Sequence, residues 1–540
     1  MKPRHWLAGL CLLGGIPPGH ASNEENMTDV RSEAGSRPNI LFFVSEDHGP
    51  ELGIYGDPFA RTPVLDRLGN EGVVFERAYV TQAGCSPSRA TLLTGLYPHQ
   101  CGQIGLATHG FRLYDDPEML LLPNALKEAG YRTGIVGKIH VEPEENFAFD
   151  ERLEADSFRR RDVREVARNA LGFIERHGGD APFFLSVNYA DVHRPYIGDF
   201  VRQADGLPAD PHEPGEVDVL PHIGFSDTLH AEKAANYYNS IERLDAGIGI
   251  VLEGLKRTGL YGNTIILFIS DHGSDKVRGK RTVYEGGTHV PLIVYWGDRI
   301  KQGQRRDELI SAVDLVPTFL ELAGVKVPEN LPGTSLLPLL AGQAIAPRRY
   351  LFTEYHIHSP HNLFPQRTVR DDRYKLIHNL HHGRFNPGYA FTFDRIYDRR
   401  AHIEDIIAQA PLRVRNAYAI LKVAPEFELY DLRNDPYEFN NLAENPSYAG
   451  ILSRLRSELL RWRKESGDPL LCADNLAALE RNVAAAYEND APVVRDRNGD
   501  WVLGRYNRVR RMDPHWVFYE QWEAYRREFL DSSGNRPARP

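Results

Sequence analysis

The sequence predicts an α/β fold: a large, mostly parallel sheet sandwiched by helices, with a smaller C-terminal α+β domain. Three observations carry this. From about residue 38 short apolar runs alternate with amphipathic stretches, the pattern of strands joined by helical crossovers. Polar clusters follow directly on the ends of several runs. After about residue 345 the alternation gives way to short strands and loops rich in His, Pro and Asn.

The strand candidates of the first part are 39–44, 131–136, 183–189, 264–269 and 291–295, and the helix candidates are 62–71, 122–129, 163–176 and 232–257. In the last helix Ile241, Leu244, Ile248 and Val251 recur at helical spacing, which reads as packing against the sheet. In the second part strands are expected at 350–353, 374–379 and 428–432, then a turn at Asn434-Asp435-Pro436 and a helix over 448–465. Near the end Phe518, Trp522, Tyr525 and Phe529 fall on one helical face, expected to dock on the body or on a second subunit, which would allow a homodimer. The resulting division is 1–21 signal peptide, 22–37 linker, 38–345 main α/β domain, 346–480 α+β subdomain and 481–540 extension.

The signal reading rests on Lys2, Arg4 and His5 before the apolar stretch 6–16, with Gly19-His20-Ala21 offering small residues for cleavage. That stretch falls short of the roughly 20 residues a bilayer span needs. The expectation is a secreted or periplasmic protein with no stable membrane insertion after cleavage. A net charge of −10 and no long basic run argue against nucleic acid as a main partner. The hydrophobic share of 42% is ample for a core, which excludes wholesale disorder. Of the four cysteines, Cys11 lies in the signal and Cys85 in a polar motif, so one bridge at most remains and a disulfide scaffold is excluded. Cys101 and Cys472 read as plain buried thiols.

In open α/β sheets ligands bind beyond the carboxyl ends of the strands. There this chain places Ser45-Glu46-Asp47-His48, Gly137-Lys138-Ile139-His140, Ala190-Asp191-Val192-His193-Arg194 and Ser270-Asp271-His272-Gly273. Cys85-Ser86-Pro87-Ser88-Arg89 opens a helix, with Ser86 expected as N-cap and Pro87 as first helical residue. Cys85 would then face the free N–H groups of a helix start, an anion site, with the forked donors of Arg89 one turn on. Unmodified, such a thiol is the low-pKa nucleophile of a cysteine hydrolase or phosphatase, which needs one acid/base partner and no metal. The neighbouring carboxylates fit that poorly. Glu46, Asp47, Asp271 and His272 offer ligands for a hard divalent cation, calcium rather than zinc.

Together the motifs around Cys85, Lys138 and Asp271 resemble the type I sulfatases of the alkaline-phosphatase-like superfamily, over roughly residues 38–470. The resemblance implies that Cys85 is oxidised to formylglycine by a formylglycine-generating or anaerobic sulfatase-maturing enzyme. It implies one Ca2+ held by Glu46, Asp47, Asp271 and His272. Arg89 and Lys138 would hold the aldehyde hydrate that attacks sulfur, and His140 would be the base. His193 and Lys280, the latter within Gly279-Lys280-Arg281-Thr282-Val283-Tyr284-Glu285, would bind sulfate oxygens and assist the leaving group. The family usually has Asp where this chain has Glu46, and many relatives have Asn at His272.

Segments 39–49, 134–143, 183–194, 374–380 and 428–442, with Arg461-Trp462 and Asp468-Pro469, are similar to the heparan N-sulfatases (sulfamidases). This implies a sulfated glycan substrate, with an N-linked sulfate on glucosamine of heparin or heparan sulfate. Lys280 points the other way, since the sulfamidase branch is expected to carry Arg there. The alternatives are an O-sulfatase on another sulfated polysaccharide, a catalytically silent glycan-binding protein and, more weakly, a phosphodiesterase or phosphonate hydrolase. Arg194, His358, Arg367 and His378 are the candidates for reading the sugar ring and its carboxylate neighbours.

Overall fold

The computed structural model describes residues 37–153, 162–179, 181–196, 206–393, 400–486, 493–495, 501–503 and 516–533. The signal and most of the linker lie outside them. Eight strands build the main sheet: β1 (Asn39–Ser45), β2 (Val73–Tyr79), β3 (Arg132–Val136), β4 (Glu151–Leu153), β5 (Phe183–Asn188), β6 (Thr264–Ser270), β7 (His289–Tyr295) and β8 (Gln304–Ser311). Their order is β4-β3-β5-β1-β6-β7-β2-β8. The first five in that order run parallel; β7 is antiparallel to both β6 and β2, and β8 pairs parallel with β2.

Helices cover both faces, which is why the central strands are continuous apolar runs rather than alternating ones. From β1, Leu41 and Phe43 point to one face, where they join Leu65 and Leu68 of α1 (Pro63–Asn70). On the same face lie Val166, Ala170 and Phe173 of α4 (Val163–His177) and Ile241, Leu244, Ile248 and Val251 of α5 (Thr228–Arg257). Ile40, Phe42 and Val44 point the other way. They meet Leu92 of α2 (Cys85–Thr94), Leu122 of α3 (Leu122–Glu128) and Phe319 of α6 (Leu315–Leu322). The α5 helix starts one turn before its expected position because the Asp227 carboxylate caps it, accepting from the His230 amide.

The second sheet is antiparallel, β12-β11-β10-β9, from β9 (Leu351–Tyr355), β10 (Gln366–Arg370), β11 (Tyr374–Asn379) and β12 (Phe427–Asp431). Helix α7 (Ala449–Glu465) packs on it through Leu455, Leu459 and Trp462, the last stacked on Phe352 with ring centres 4.8 Å apart. The C-terminal helix α9 (Phe518–Ser533) follows α8 (Ala473–Ala485) and docks on the body of its own chain. Phe518 and Trp522 are buried with Ile104, Phe111, Tyr114 and Ile357. The thiols of Cys101 and Cys472 are free, Cys101 buried and Cys472 only half-buried, which corrects the expectation for the latter. Among the described residues no helix is long and apolar enough to cross a membrane.

Candidate active site

The site forms where β1 and β6 end side by side, with Ser45 paired to Ser270. The two segments that follow then cross-link. The Asp271 amide donates to Ser45 O at 3.0 Å and the Asp47 amide to Asp271 Oδ1 at 3.1 Å. The carbonyl of Glu46 accepts from the Val192 amide at 2.7 Å, which ties in the segment after β5. Asp47 sits at φ 53° and His140, after β3, at φ 57°, left-handed conformations that non-glycine residues adopt only when their surroundings hold them there.

Helix α2 starts at Cys85 itself with Gly84 as N-cap, so the expected cap at Ser86 is corrected: the Ser86 hydroxyl instead accepts from the Ala107 amide at 3.0 Å. Cys85 is thus at the head of the helix, buried, its Sγ 3.4 Å from His272 Nε2 and 3.2 Å from Lys280 Nζ. Arg89, one turn on, spreads over four acceptors: Asp271 Oδ2 at 3.1 Å, Glu46 Oε1 at 3.3 Å, Asn188 Oδ1 at 2.7 Å and Lys138 O at 3.0 Å. Lys138 Nζ donates to Glu46 Oε1. Lys280 Nζ also donates to Asp47 Oδ1 at 2.8 Å, and His193 Nε2 lies 3.8 Å from Asp47 Oδ2.

Burial alone would raise the Cys85 thiol, yet the charges of Lys138 and Lys280 and hydrogen bonds with His140 and His272 hold it well below its ordinary value. Burial and the adjacent Lys138 charge push His140 down to about 4, so this imidazole is neutral near neutral pH. For Glu46 burial acts upward, but Lys138, Arg89 and His193 bring the carboxyl down to about 2. Glu46, Asp47 and Asp271 all come within reach of one sulfur, Glu46 and Asp271 paired with Arg89 and Asp47 with Lys280.

The donor set fits a hard divalent cation. Glu46 Oε2 and Asp47 Oδ2 are buried and accept no hydrogen bond, a costly state for carboxylate oxygens unless a cation faces them. Ligand atoms of Asp47, Cys85 and His272, and of Glu46, Cys85 and Asp271, lie within 4.8 Å of one another. Apart from the Cys85 sulfur the set is carboxylate oxygen with one imidazole, donors that a hard divalent cation accepts.

Ten of the expected site residues are thereby brought together: Glu46, Asp47, Cys85, Arg89, Lys138, His140, His193, Asp271, His272 and Lys280. His358 is buried close by, its Nε2 making no hydrogen bond, and burial, helped by the charges of Lys280 and Arg281, lowers its imidazole. Arg194 is held by Asp275 at 2.8 Å. Two expectations are corrected. Arg367 is wholly buried, its guanidinium forked onto Asp468 at 2.9 and 2.7 Å, so it faces protein rather than sugar. His378 stacks on Phe427 and lines a separate cavity of about 460 Å³ beside Arg456 and Arg463. Residues not anticipated are Asn188, Asp275 and Arg281. Asn188 ends a buried strand that is apolar except for Ser186, and that lone amide was the available signal; Asp275 had none.

The sulfatase family profile matches residues 38–325, and the profile described as N-sulphoglucosamine sulphohydrolase, C-terminal, matches residues 273–391. The chain is 32% identical to human N-sulphoglucosamine sulphohydrolase over 477 residues, covering 81% of this chain and 92% of that protein. It is 30% identical to an ulvan-active sulfatase of Formosa agariphila, covering 83% and 84% of the two chains. A solved structure of BT4656 with its substrate D-glucosamine-2-N,6-O-disulfate shares the fold, with a TM-score of 0.59, 21% identity and coverage of 80% of this chain and 99% of that one. The mostly parallel eight-stranded sheet, the second antiparallel sheet and these matches give one conclusion: the chain belongs to the sulfatase family.

Proposed function

We propose that this sulfatase removes the N-linked sulfate of glucosamine in heparin or heparan sulfate oligosaccharides, using formylglycine at position 85 and calcium. The observation that carries the reading is the cation-ringed Cys85 in a chain that aligns with 92% of human N-sulphoglucosamine sulphohydrolase. Formylglycine supplies a nucleophilic oxygen when hydrated, and calcium bound by Glu46, Asp47, Asp271 and His272 supplies charge for the sulfuryl group. The chain's own side chains do the rest. Lys280 Nζ, 3.2 Å from the position-85 sulfur, and Arg89 at the same helix end stabilise negative charge on the sulfuryl oxygens. His193 stands beside Asp47 with its Nδ1 at 2.5 Å from Arg194 O, so its Nε2 is the atom that delivers a proton to the departing nitrogen. Neutral His140 accepts the proton that must leave position 85 before sulfate departs. Cys85 is buried in the folded chain, so a maturing enzyme would have to act before folding is complete. Export to a secreted or periplasmic location is part of the same reading.

A second reading, an O-sulfatase on another sulfated polysaccharide, is favoured by Lys280 and by the 30% identity to an ulvan-active sulfatase. The test is sulfate release from N-sulfoglucosamine against 6-O-sulfoglucosamine by matured protein. The N-sulfate reading expects the first to be the better substrate; preference for the second replaces it. A catalytically silent glycan binder would release neither, and its Cys85 peptide would keep the mass of a thiol.

A further inference from the structure

Beside the residues given roles above, a further buried charge cluster surrounds Asp275. Its Oδ2 accepts from Arg194 Nε at 2.8 Å and its Oδ1 from Arg281 Nη2 at 2.6 Å. Asp275 is buried, yet the two guanidiniums hold its carboxyl ionised, and two cations on one carboxylate leave an excess positive charge. Arg194 directly follows His193, and Arg281 directly follows Lys280, so each arginine adjoins a residue of the sulfate site. The Arg281 amide donates to Ala83 O at 2.9 Å, two residues before Cys85. Its backbone is left-handed, φ 70°, a third such non-glycine residue at this site after Asp47 and His140. Its Nε is buried and donates no hydrogen bond, a desolvated donor that an incoming anion would satisfy.

We propose that Arg194 and Arg281, splayed by Asp275, form a second anion subsite that takes another negatively charged substituent of the same glycan. The substituent is a further sulfate on the sugar or the carboxylate of a neighbouring uronate; both present the planar or tetrahedral oxyanion that guanidinium forks match. Asp275 is a positioning residue and touches no substrate. The inference rests on the sulfated-glycan reading but not on which sulfate is removed.

The test is calorimetric binding to the Cys85→Ala protein. The ligands are glucosamine 2-N-sulfate, glucosamine 6-O-sulfate, the 2-N,6-O-disulfate, and a disaccharide joining N-sulfoglucosamine to a uronate. At least one dianion should bind about ten-fold tighter or more than the monoanions, and which one does so identifies the source of the charge. Arg194→Gln and Arg281→Gln, each checked for an unchanged melting temperature, should bring the ratio near one. Equal affinities, no measurable dianion binding, or an advantage that survives both substitutions would overturn the subsite. Sulfate release by matured protein with Cys85 in place is scored separately. Release from the O-position alone defeats the N-sulfate reading while leaving the dianion advantage intact.

Discussion

Lys280 and Cys85 meet inside the protein, Nζ to Sγ at 3.2 Å, with neither side chain reaching solvent. A buried ammonium against a buried sulfur favours the anion at that sulfur. In unmatured protein, Lys280→Met should therefore raise the Cys85 thiol pKa, read from its ultraviolet thiolate absorbance. Cys101, pushed up to about 12 by burial, should stay silent across neutral pH. An unchanged titration would show that the lysine does not set the charge at this position. In matured protein the same substitution should cut kcat/KM by about 10²-fold or more.

The unpartnered oxygens of Glu46 and Asp47 lead to a second expectation. Removing bound metal with a chelator should lower the melting temperature, and calcium should restore it. At 100 times Kd a ligand stabilises by about 2.7 kcal/mol. Asp47→Asn should abolish the calcium-dependent rise. A melting temperature indifferent to calcium in the starting protein would contradict the assignment.

Arg367 is expected to matter for stability and not for substrate. Arg367→Lys keeps a charge but loses the fork onto Asp468, and leaving buried carboxylate oxygens short of donors costs about 1–3 kcal/mol. Urea unfolding should show that loss with KM unchanged. A raised KM without a stability change would restore the substrate-reading role.

The same network predicts how the protein responds to acid. Burial raises Glu354, but His99, Arg367 and His356 outweigh it and bring its carboxyl from 4.5 down to about 2. Because the folded value is below the unfolded one, the stabilisation is complete above about pH 4.5 and is lost as pH falls through 2. A shift of that size corresponds to about 3 kcal/mol. Glu354→Gln should flatten the dependence of unfolding free energy on pH between those values. An equal slope in both proteins would contradict it.

Much of the site was legible because its residues follow strand ends. The run ending at Val44 predicts where Glu46 and Asp47 emerge, and the run ending at Ile269 does the same for Asp271 and His272. Strand direction was not legible: β7 reads as apolar whether parallel or antiparallel, and only its pairing with β6 shows the reversal. The strands 73–79 and 304–311 escaped notice because charged residues such as Glu76, Arg77, Arg305 and Arg306 interrupt their apolar pattern. Arg367 and His378 misled for a different reason. In sequence, a cation looks the same whether it faces solvent or, as Arg367 does, an internal Asp468 contributed 101 residues away. The Asp275 pairing with Arg194 spans 81 residues, and no local pattern announces it.

The most direct test of the central claim is sulfate release from N-sulfoglucosamine by protein co-produced with a maturing enzyme, alongside intact mass of the peptide bearing position 85. The account predicts an aldehyde mass and turnover in the native sequence, and a complete loss of turnover in Cys85→Ala. Turnover by a protein whose Cys85 remains a thiol, or by Cys85→Ala, would contradict it.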